Sequence, residues 1–130
     1  MYELTVVYFD KKEDTILCTS QPSYEIENGY LFLDCGSGQS LTLNIETFLK
    51  VRIKPPLPTN VPAFHYSIDI QYSLDTDDVE LLFSSHDVDV STHGDDYGRI
   101  IVVEEDRTPI RIINSDYLKS IKVTTYSEKG

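Results

Sequence analysis

Residues 2–9 read Tyr2-Glu3-Leu4-Thr5-Val6-Val7-Tyr8-Phe9. The apolar and β-branched residues of this stretch are typical of a β-strand, in which side chains alternate with period two. The pattern returns 64 residues later as Tyr66-Ser67-Ile68-Asp69-Ile70-Gln71-Tyr72-Ser73. The pairs matched at that offset are Tyr2 and Tyr66, Tyr8 and Tyr72, Asp14 and Asp78, Leu17 and Leu81, and Ser20 and Ser84. A repeat of roughly 60 residues indicates two copies of one structural unit.

The ends of the two copies match as well. Segment 42–50, with the sequence TLNIETFLK, aligns with segment 111–119, RIINSDYLK. Beyond a one-residue insertion, Val51-Arg52-Ile53 aligns with Ile121-Lys122-Val123. The chain therefore divides into a first β repeat over residues 1–54, a connector over 55–63 and a second β repeat over 64–130.

Strand signals dominate both copies, at about six short strands each, and no segment has a helical stripe of three turns. Asn28-Gly29 is the strongest hairpin signal, because both residues tolerate the positive φ of a tight turn. Phe32-Leu33 and the run from Ile100 to Val103 are apolar on both faces, which predicts strands in the middle of the structure. We expect an all-β fold in which two tandem copies of a roughly six-strand unit form a pseudo-symmetric sandwich or paired small barrels. We also expect one shared core, because units of this size bury little surface alone.

The connector contains Pro55, Pro56, Pro58 and Pro62. Proline fixes φ and removes a backbone donor, so we expect an extended, stiff link between the copies. The sequence Pro-Pro-Leu-Pro is also compatible with a ligand for a domain that reads polyproline II helices.

Composition limits the class of protein. Hydrophobic content is 40%, with nine Tyr, five Phe and no Trp, which is enough for a core and argues against disorder. No apolar run reaches the roughly 20 residues that span a membrane, and the N-terminus lacks a secretory signal pattern, so we expect a cytoplasmic protein. Cys18 and Cys35 define no disulfide framework, which predicts buried free thiols; the constant offset puts Leu82 at the position of Cys18.

Net charge is −11, and it is concentrated in the second half of the chain. Residues 1–63 carry eight acids against five bases, a net charge of −3, while residues 64–130 carry fourteen against six, a net charge of −8. A negative field repels nucleic acid and anionic membranes and attracts basic surfaces. We therefore expect a basic protein partner, with no direct binding to nucleic acid or membrane.

The candidate partner-binding residues are acids of the second half together with one tyrosine. They are Asp75, Asp77, Asp78, Asp87, Asp89, Asp95, Asp96, Tyr97, Glu104 and Glu105. Carboxylates spread over a β surface imitate the phosphates of nucleic acid, and a tyrosine ring can anchor a partner. The alternative for any one of these clusters is that the charges only solvate turns.

Residues 86–96 hold the densest polar cluster and suggest a second kind of site. His86, Asp87, Asp89 and His93 are candidate ligands for a divalent metal. If Val88 and Val90 point inward from a strand, Asp87 and Asp89 project from the opposite face and His93 lies in the following loop. The spacing matches no known metal motif, and we expect no cofactor.

No pattern of catalytic residues is present. Ser84-Ser85-His86-Asp87 contains the residue types of a hydrolase, but neighbours on one strand point to opposite faces and a triad is assembled from distant segments. Gly36-Ser37-Gly38 lacks the following helix that a phosphate-binding loop needs. We do not expect an enzyme.

These observations favour a non-enzymatic acidic interaction protein, such as an inhibitor that binds a basic surface of a nucleic-acid-binding or nuclease-type protein. One alternative is a β domain that binds a small ligand or a divalent metal. Another is a structural subunit of a larger assembly, including a homodimer, whose exposed strand edges pair with neighbouring copies.

Overall fold

A computed structural model describes residues 1–36, 38–56, 64–73, 79–95 and 98–126 of the chain. This part of the chain forms twelve β-strands. They are β1 (Tyr2–Tyr8), β2 (Glu13–Cys18), β3 (Ser23–Glu27), β4 (Tyr30–Gly36), β5 (Gln39–Asn44), β6 (Phe48–Lys54), β7 (Tyr66–Tyr72), β8 (Val79–Ser84), β9 (Val88–Asp95), β10 (Gly98–Glu105), β11 (Thr108–Asn114) and β12 (Leu118–Thr125). Short 3₁₀ turns at Ile45–Thr47 and Ser115–Tyr117 precede β6 and β12.

The strands form three antiparallel sheets, which confirms the all-β prediction. The largest is a six-stranded sheet in the order β2-β1-β6-β11-β10-β9. The β7 sheet has the order β12-β7-β8, and the β4 sheet has the order β3-β4-β5. None of the described segments forms a helix long and apolar enough to cross a membrane.

The predicted hairpin at Asn28-Gly29 is confirmed. Asn28 and Gly29 have φ values of 51° and 82°, and Glu27 on β3 pairs with Tyr30 on β4. Two positive φ values in a row give the turn twist that matches antiparallel strands. A second pair, Asp106 and Arg107, has φ values of 48° and 65° between β10 and β11, and no glycine marks that turn in the sequence.

Strand pairing follows the same order in each half. β1 lies between β2 and β6 as β7 lies between β8 and β12, and β4 and β10 are the middle strands of β3-β4-β5 and β9-β10-β11. Tyr2 pairs with Cys18 and Tyr66 with Ser84, so Ser84 occupies the position of Cys18. The assignment of Leu82 to that position is wrong by two residues. The reason is that four residues separate β1 from β2, whereas six separate β7 from β8.

The alignment at the ends of the copies also shifts by one residue. The side chain of Asn44 accepts a hydrogen bond from the backbone N–H of Glu46, and Asn114 accepts one from Asp116 in the same way. These N-caps are 70 residues apart, not the 69 of the gap-free alignment of segments 42–50 and 111–119. The one-residue insertion in the second copy therefore lies before Asn114 and not after Lys119.

The two halves meet at β6 and β11. Arg52 pairs with Arg111, Val51 with Ile112 and Lys50 with Ile113. A twofold axis between the halves would also pair β12 with β5, but each is an edge strand of its own sheet. The pseudo-symmetric arrangement is therefore not confirmed, because the junction joins strands at different positions in the two halves.

Buried apolar residues form two clusters. The larger takes residues from both halves: Leu4, Val6, Cys18, Leu31, Leu33, Cys35, Leu43, Ile45, Phe48, Val51, Ile53, Ile100, Val102 and Ile112. The smaller consists of Ile68, Ile70, Tyr72, Val103, Ile110 and Ile113. Ile112 and Ile113 are neighbours on β11 but belong to different clusters, so the second half's part of the six-stranded sheet is buried on both faces.

The two predictions of central strands have different outcomes. Ile100, Val102 and Val103 on β10 are fully buried, as expected for a strand covered on both faces. Phe32 on β4 is exposed, although Leu33 beside it is buried. The prediction for Phe32 is wrong, because among the described residues no sheet covers the outer face of the β4 sheet.

Cys18 and Cys35 are both buried and free, as predicted. Burial raises the pKa of the Cys18 thiol to about 12, and its hydrogen bond to Cys35 contributes to the increase. A thiol that stays protonated is a poor nucleophile and a poor metal ligand. Cys18 therefore acts as a small core residue, and Cys35 is buried in the same cluster.

Candidate interaction surfaces

Five acidic residues lie together where β9 begins and β10 ends. Asp89 on β9 stands directly opposite Glu104 on β10, and Glu105 is opposite Val88. The backbone N–H of Asp106 donates to the carbonyl of Asp87 at 2.9 Å, which holds the adjoining loops together. We call this group the acidic end; it comprises Asp87, Asp89, Glu104, Glu105 and Asp106.

Two tyrosines hold carboxylates of the acidic end. The Tyr66 hydroxyl donates to Oδ1 of Asp87 at 2.9 Å, and the Tyr24 hydroxyl donates to Oε1 of Glu104 at 3.1 Å. Burial raises the pKa of Tyr24, and the nearby Glu104 carboxylate raises it further. The two tyrosines therefore remain neutral donors at physiological pH and orient acceptors of the acidic end.

None of the salt bridges among the described residues involves the acidic end. They join Lys50 and Arg111 to Glu80, Arg52 to Glu13, and Lys12 to Asp10. Like charges directly opposite each other in a sheet are destabilising, so the pairing of Asp89 with Glu104 has an energetic cost. A basic partner that approaches this surface would remove that cost.

Asp95 lies at the other end of β9. Its Oδ2 accepts a hydrogen bond of 3.1 Å from the backbone N–H of Asn28. Asp87 and Asp95 are eight residues apart on an extended chain, a separation of about 26 Å. The cluster that looks dense in the sequence is therefore divided between two ends of a strand.

His93 belongs to β9 and not to a following loop, which corrects the expectation from sequence. Its Nε2 lies 2.8 Å from Oγ of Ser91 and 3.3 Å from the Tyr24 hydroxyl, and the His93 and Tyr24 rings meet edge to face at 5.4 Å. His93 thus helps to join β9 to β3. Tyr24, which links the two halves, was not identified as a site residue from the sequence.

The candidate metal ligands do not come together. His86 and His93 are seven residues apart on a nearly extended segment, about 23 Å. Within the described ranges no group of three or more His, Cys, Asp or Glu residues has the geometry to hold a metal ion. Asp87 is bonded to Tyr66 and Asp89 stands opposite Glu104, so neither is directed at a histidine.

Five of the candidate partner-binding residues lie outside the described residues. These are Asp75, Asp77, Asp78, Asp96 and Tyr97. Segment 57–63 of the connector lies outside them as well.

The strongest charged cluster in the structure was not identified from the sequence. Glu80 accepts from Lys50 Nζ at 2.7 Å and from Arg111 Nη2 and Nε at 2.9 and 3.1 Å. The Tyr72 hydroxyl also donates to Glu80, and Lys50 Nζ lies 4.4 Å from the centre of the Tyr72 ring. We call these four residues the Glu80 cluster. They connect the first half, through β6, to three strands of the second.

Charge determines the protonation state of Glu80. Burial alone would raise its pKa, but the guanidinium of Arg111 and the hydrogen bonds from Lys50 and Tyr72 outweigh burial and lower the pKa to about 2. The sequence did contain one indication that Glu80 is buried: with period-two alternation it lies on the same face of β8 as the inward-facing Leu82 and Ser84. A buried, fully paired carboxylate at this junction is a structural residue and offers no catalytic proton.

A cleft of about 390 Å³ lies beside the junction, lined in part by Thr5, Arg52, Phe83, Glu105 and Arg111. The guanidinium of Arg52 binds Glu13 and that of Arg111 binds Glu80. Because both cations are already paired, they are poorly disposed to bind an anionic ligand.

Comparison with known proteins assigns no family to this chain. No protein-family model, no curated protein and no solved structure matches it.

Proposed function

We propose that this chain is a non-enzymatic interaction protein whose acidic end binds a basic surface of another protein. The observation that carries the proposal is the pairing of Asp89 with Glu104, next to Glu105, with no salt bridge to these acids among the described residues. An inhibitor of a nucleic-acid-binding or nuclease-type protein fits this chemistry, because such partners present basic grooves shaped for phosphates.

The hydrogen bonds within the acidic end support the proposal. Asp87 and Glu104 are held by tyrosine hydroxyls, so they lose little conformational entropy when a partner binds. Asp89 and Glu105 have no side-chain partner among the described residues and remain available for cations. Attraction to a net charge of −11 would also accelerate association at low salt.

Capture from a nuclease-treated lysate of the protein's own source, with elution by increasing salt, tests the proposal. Asp89→Asn with Glu105→Gln should lose the partner, because the variant removes two charges that make no internal bond. Glu46→Gln with Asp116→Asn is the matched control, since it removes two exposed acids from the 3₁₀ turns. Equal loss of the partner in both variants, or no basic partner with the unmodified protein, would contradict the proposal.

We also propose that the two halves are tandem copies of one six-strand unit. Support comes from details of strand pairing. Tyr8 pairs with Phe48 and Tyr72 with Leu118, and in each half a bulge follows on the second strand, at Leu49 and Lys119. Equivalent asparagine caps start the two 3₁₀ turns.

A structural subunit of a larger assembly is the second candidate function. The observation that favours it is that β5 and β12 are edge strands, with unpaired backbone groups along one side. This candidate does not use the acidic end.

A further inference from the structure

We call the β6–β11 pairing within one chain the internal junction. It provides a template for contact between two molecules of the protein. It pairs β6, an edge of the β2-β1-β6 group, with β11, an edge of the β9-β10-β11 group. The strand that corresponds to β6 in the second half is β12, and the strand that corresponds to β11 in the first half is β5. Both β12 and β5 are edge strands. Each half therefore has one unpaired edge that corresponds to a strand of the internal junction.

Exposure of equivalent residues differs in the way this template predicts. Tyr30 pairs with Asn44 as Ile100 pairs with Asn114, which makes Tyr30 and Phe32 the counterparts of Ile100 and Val102. Ile100 and Val102 are 0% exposed at the junction, whereas Tyr30 and Phe32 are 44% and 39% exposed. Two aromatic side chains on the outer face of the β4 sheet, beside Glu25 and Glu27, are therefore exposed where their counterparts are buried.

The same difference occurs on the other side of the junction. Leu4 pairs with Ile53 on β6, and Ile68 pairs with Val123 on β12, so Val123 is the counterpart of Ile53. Ile53 is 1% exposed and Val123 is 39% exposed. Both surfaces that a second junction of this kind would bury therefore carry apolar side chains that are exposed in the single chain.

An asparagine adds polar evidence. Nδ2 of Asn114 donates to the carbonyls of Ile45 and Phe48, which ties the second half to the first across the junction. Its counterpart Asn44 forms the same N-cap, but it is exposed and its Nδ2 has no hydrogen-bond partner in the described residues. In a repeated junction this amide would face the carbonyls of Ser115 and Leu118 of another copy.

Charge also favours contact between these two edges. β12 contains Lys119 and Lys122 and no acid. The β4 sheet contains Glu25, Glu27 and Asp34 and no base. In the register of the internal junction Lys122 would lie on the face of Leu41 and the acids on the face of Phe32, so the attraction acts at longer range and not through ion pairs.

We propose that the chain assembles head to tail, with β12 of one copy paired antiparallel to β5 of the next in the register of the β6–β11 junction. That register places Thr42 opposite Ile121, Leu43 opposite Ser120 and Leu41 opposite Lys122 of the neighbouring copy. Tyr30 and Phe32 then extend the apolar face that begins at Ile121 and Val123. The inference rests on the tandem-copy proposal and gives the structural-subunit candidate a specific geometry.

Head-to-tail contact has a consequence for symmetry. The two surfaces are different, so the assembly either closes into a ring or grows as an open filament. The Glu80 cluster is not repeated at the contact between copies, because Ser120, Leu41 and Asp14 occupy the positions of Lys50, Arg111 and Glu80. The contact is therefore weaker than the internal junction, and assembly depends on concentration.

Sedimentation velocity over a range of protein concentrations tests the proposal. The unmodified chain should form species larger than a monomer, and Phe32→Glu and Val123→Glu should each remove them, because each variant places a charge in one of the two surfaces. Leu81→Glu is the matched control: Leu81 is exposed, and its counterpart Thr15 remains exposed at the internal junction. This control should assemble like the unmodified chain.

Mixing the two defective variants distinguishes head-to-tail contact from a symmetric dimer. Phe32→Glu retains an intact β12 edge and Val123→Glu an intact β4 sheet, so an equimolar mixture should form one intact junction and sediment as a heterodimer. A mixture that remains monomeric, or an unmodified chain that is monomeric up to millimolar concentration, would overturn the proposal. Circular dichroism of each variant verifies that it is folded.

The assembly test is separate from the test of the acidic end. Capture of the basic partner by Phe32→Glu should equal capture by the unmodified chain, because this change is on the opposite half. If assembly fails while capture succeeds, only the head-to-tail inference is lost. If capture fails while assembly succeeds, only the acidic-end proposal is lost.

Discussion

β4 and β10 are the middle strands of corresponding strand groups, yet they are buried differently. Along β4 the side chains alternate between exposed and buried, whereas β10 contains Ile100, Val102 and Val103, all fully buried. The difference arises because β11 pairs with β6, which brings β10 into a six-stranded sheet with cores on both faces. Apolar residues on both faces of a strand therefore indicate a strand that has, or can acquire, a second covered face.

Truncation of equivalent positions gives the largest expected difference. Ile100→Ala should reduce the free energy of unfolding by about 4 kcal/mol, because it leaves a cavity in the larger core. Tyr30→Ala, at the equivalent position on β4, should change it by less than about 0.5 kcal/mol in the monomer. Urea denaturation at low protein concentration measures both. Equal losses would show that β4 is covered in solution under those conditions.

The Glu80 cluster distinguishes the junction from the open edges. Glu80→Gln should reduce the free energy of unfolding by about 3 kcal/mol, because it leaves Lys50 and Arg111 buried without a counter-charge. Asp14 pairs with Val6 as Glu80 pairs with Ile70, and it is exposed, so Asp14→Asn should cost no more than about 0.5 kcal/mol. Urea unfolding of the pair at neutral pH is the measurement, and a loss of similar size in the two variants would contradict the assigned role of Glu80.

The asparagine caps should show a smaller difference. Asn114→Ala should cost about 2 kcal/mol, because it removes the cap and leaves the carbonyls of Ile45 and Phe48 without their donor. Asn44→Ala removes an exposed cap only and should cost about 1 kcal/mol. Thermal unfolding followed by circular dichroism checks the order, and a larger loss for Asn44 would refute it.

Acid should weaken the junction through Glu80. Its folded pKa of about 2 is lower than its ordinary value of 4.5, so the folded state binds the proton less readily than the unfolded state. The resulting stabilisation is present above pH 4.5 and is lost as the pH falls toward 2. Glu80→Gln should remove this part of the pH dependence between pH 4.5 and 2 and leave the remainder. Urea midpoints measured across that pH window test this prediction. An unchanged slope of stability against pH in Glu80→Gln would be evidence against the mechanism.

Local features were predictable from the sequence because they depend on neighbouring residues. Period-two alternation located the strands, and Asn28-Gly29 located a hairpin through its tolerance of positive φ. The two positive φ values of the Asp106-Arg107 turn were not predicted, because arginine carries no such signal. The repeat alignment failed by two residues at Cys18 because the chain between β7 and β8 is two residues longer than that between β1 and β2, and a gap-free comparison cannot detect that change.

The acidic end was predictable only in part. Its acids were recognised from charge, but their separation from Asp95 follows from the length of β9, which continues through His93. Tyr24 and Tyr66 were not assigned to it, because they approach from β3 and β7, far away in the sequence. Glu80 was not recognised as buried, because its paired cations lie 30 and 31 residues away.

Strand periodicity, turns, free thiols and negative charge could be inferred from the residues alone, since each depends on residue type and close neighbours. The pairing of β6 with β11, the burial of β10 on both faces and the pairing of Glu80 with two cations are properties of the assembled sheets. Strand edges carry the same backbone donors and acceptors whatever their sequence. Which edges meet is therefore decided by the packing of whole sheets.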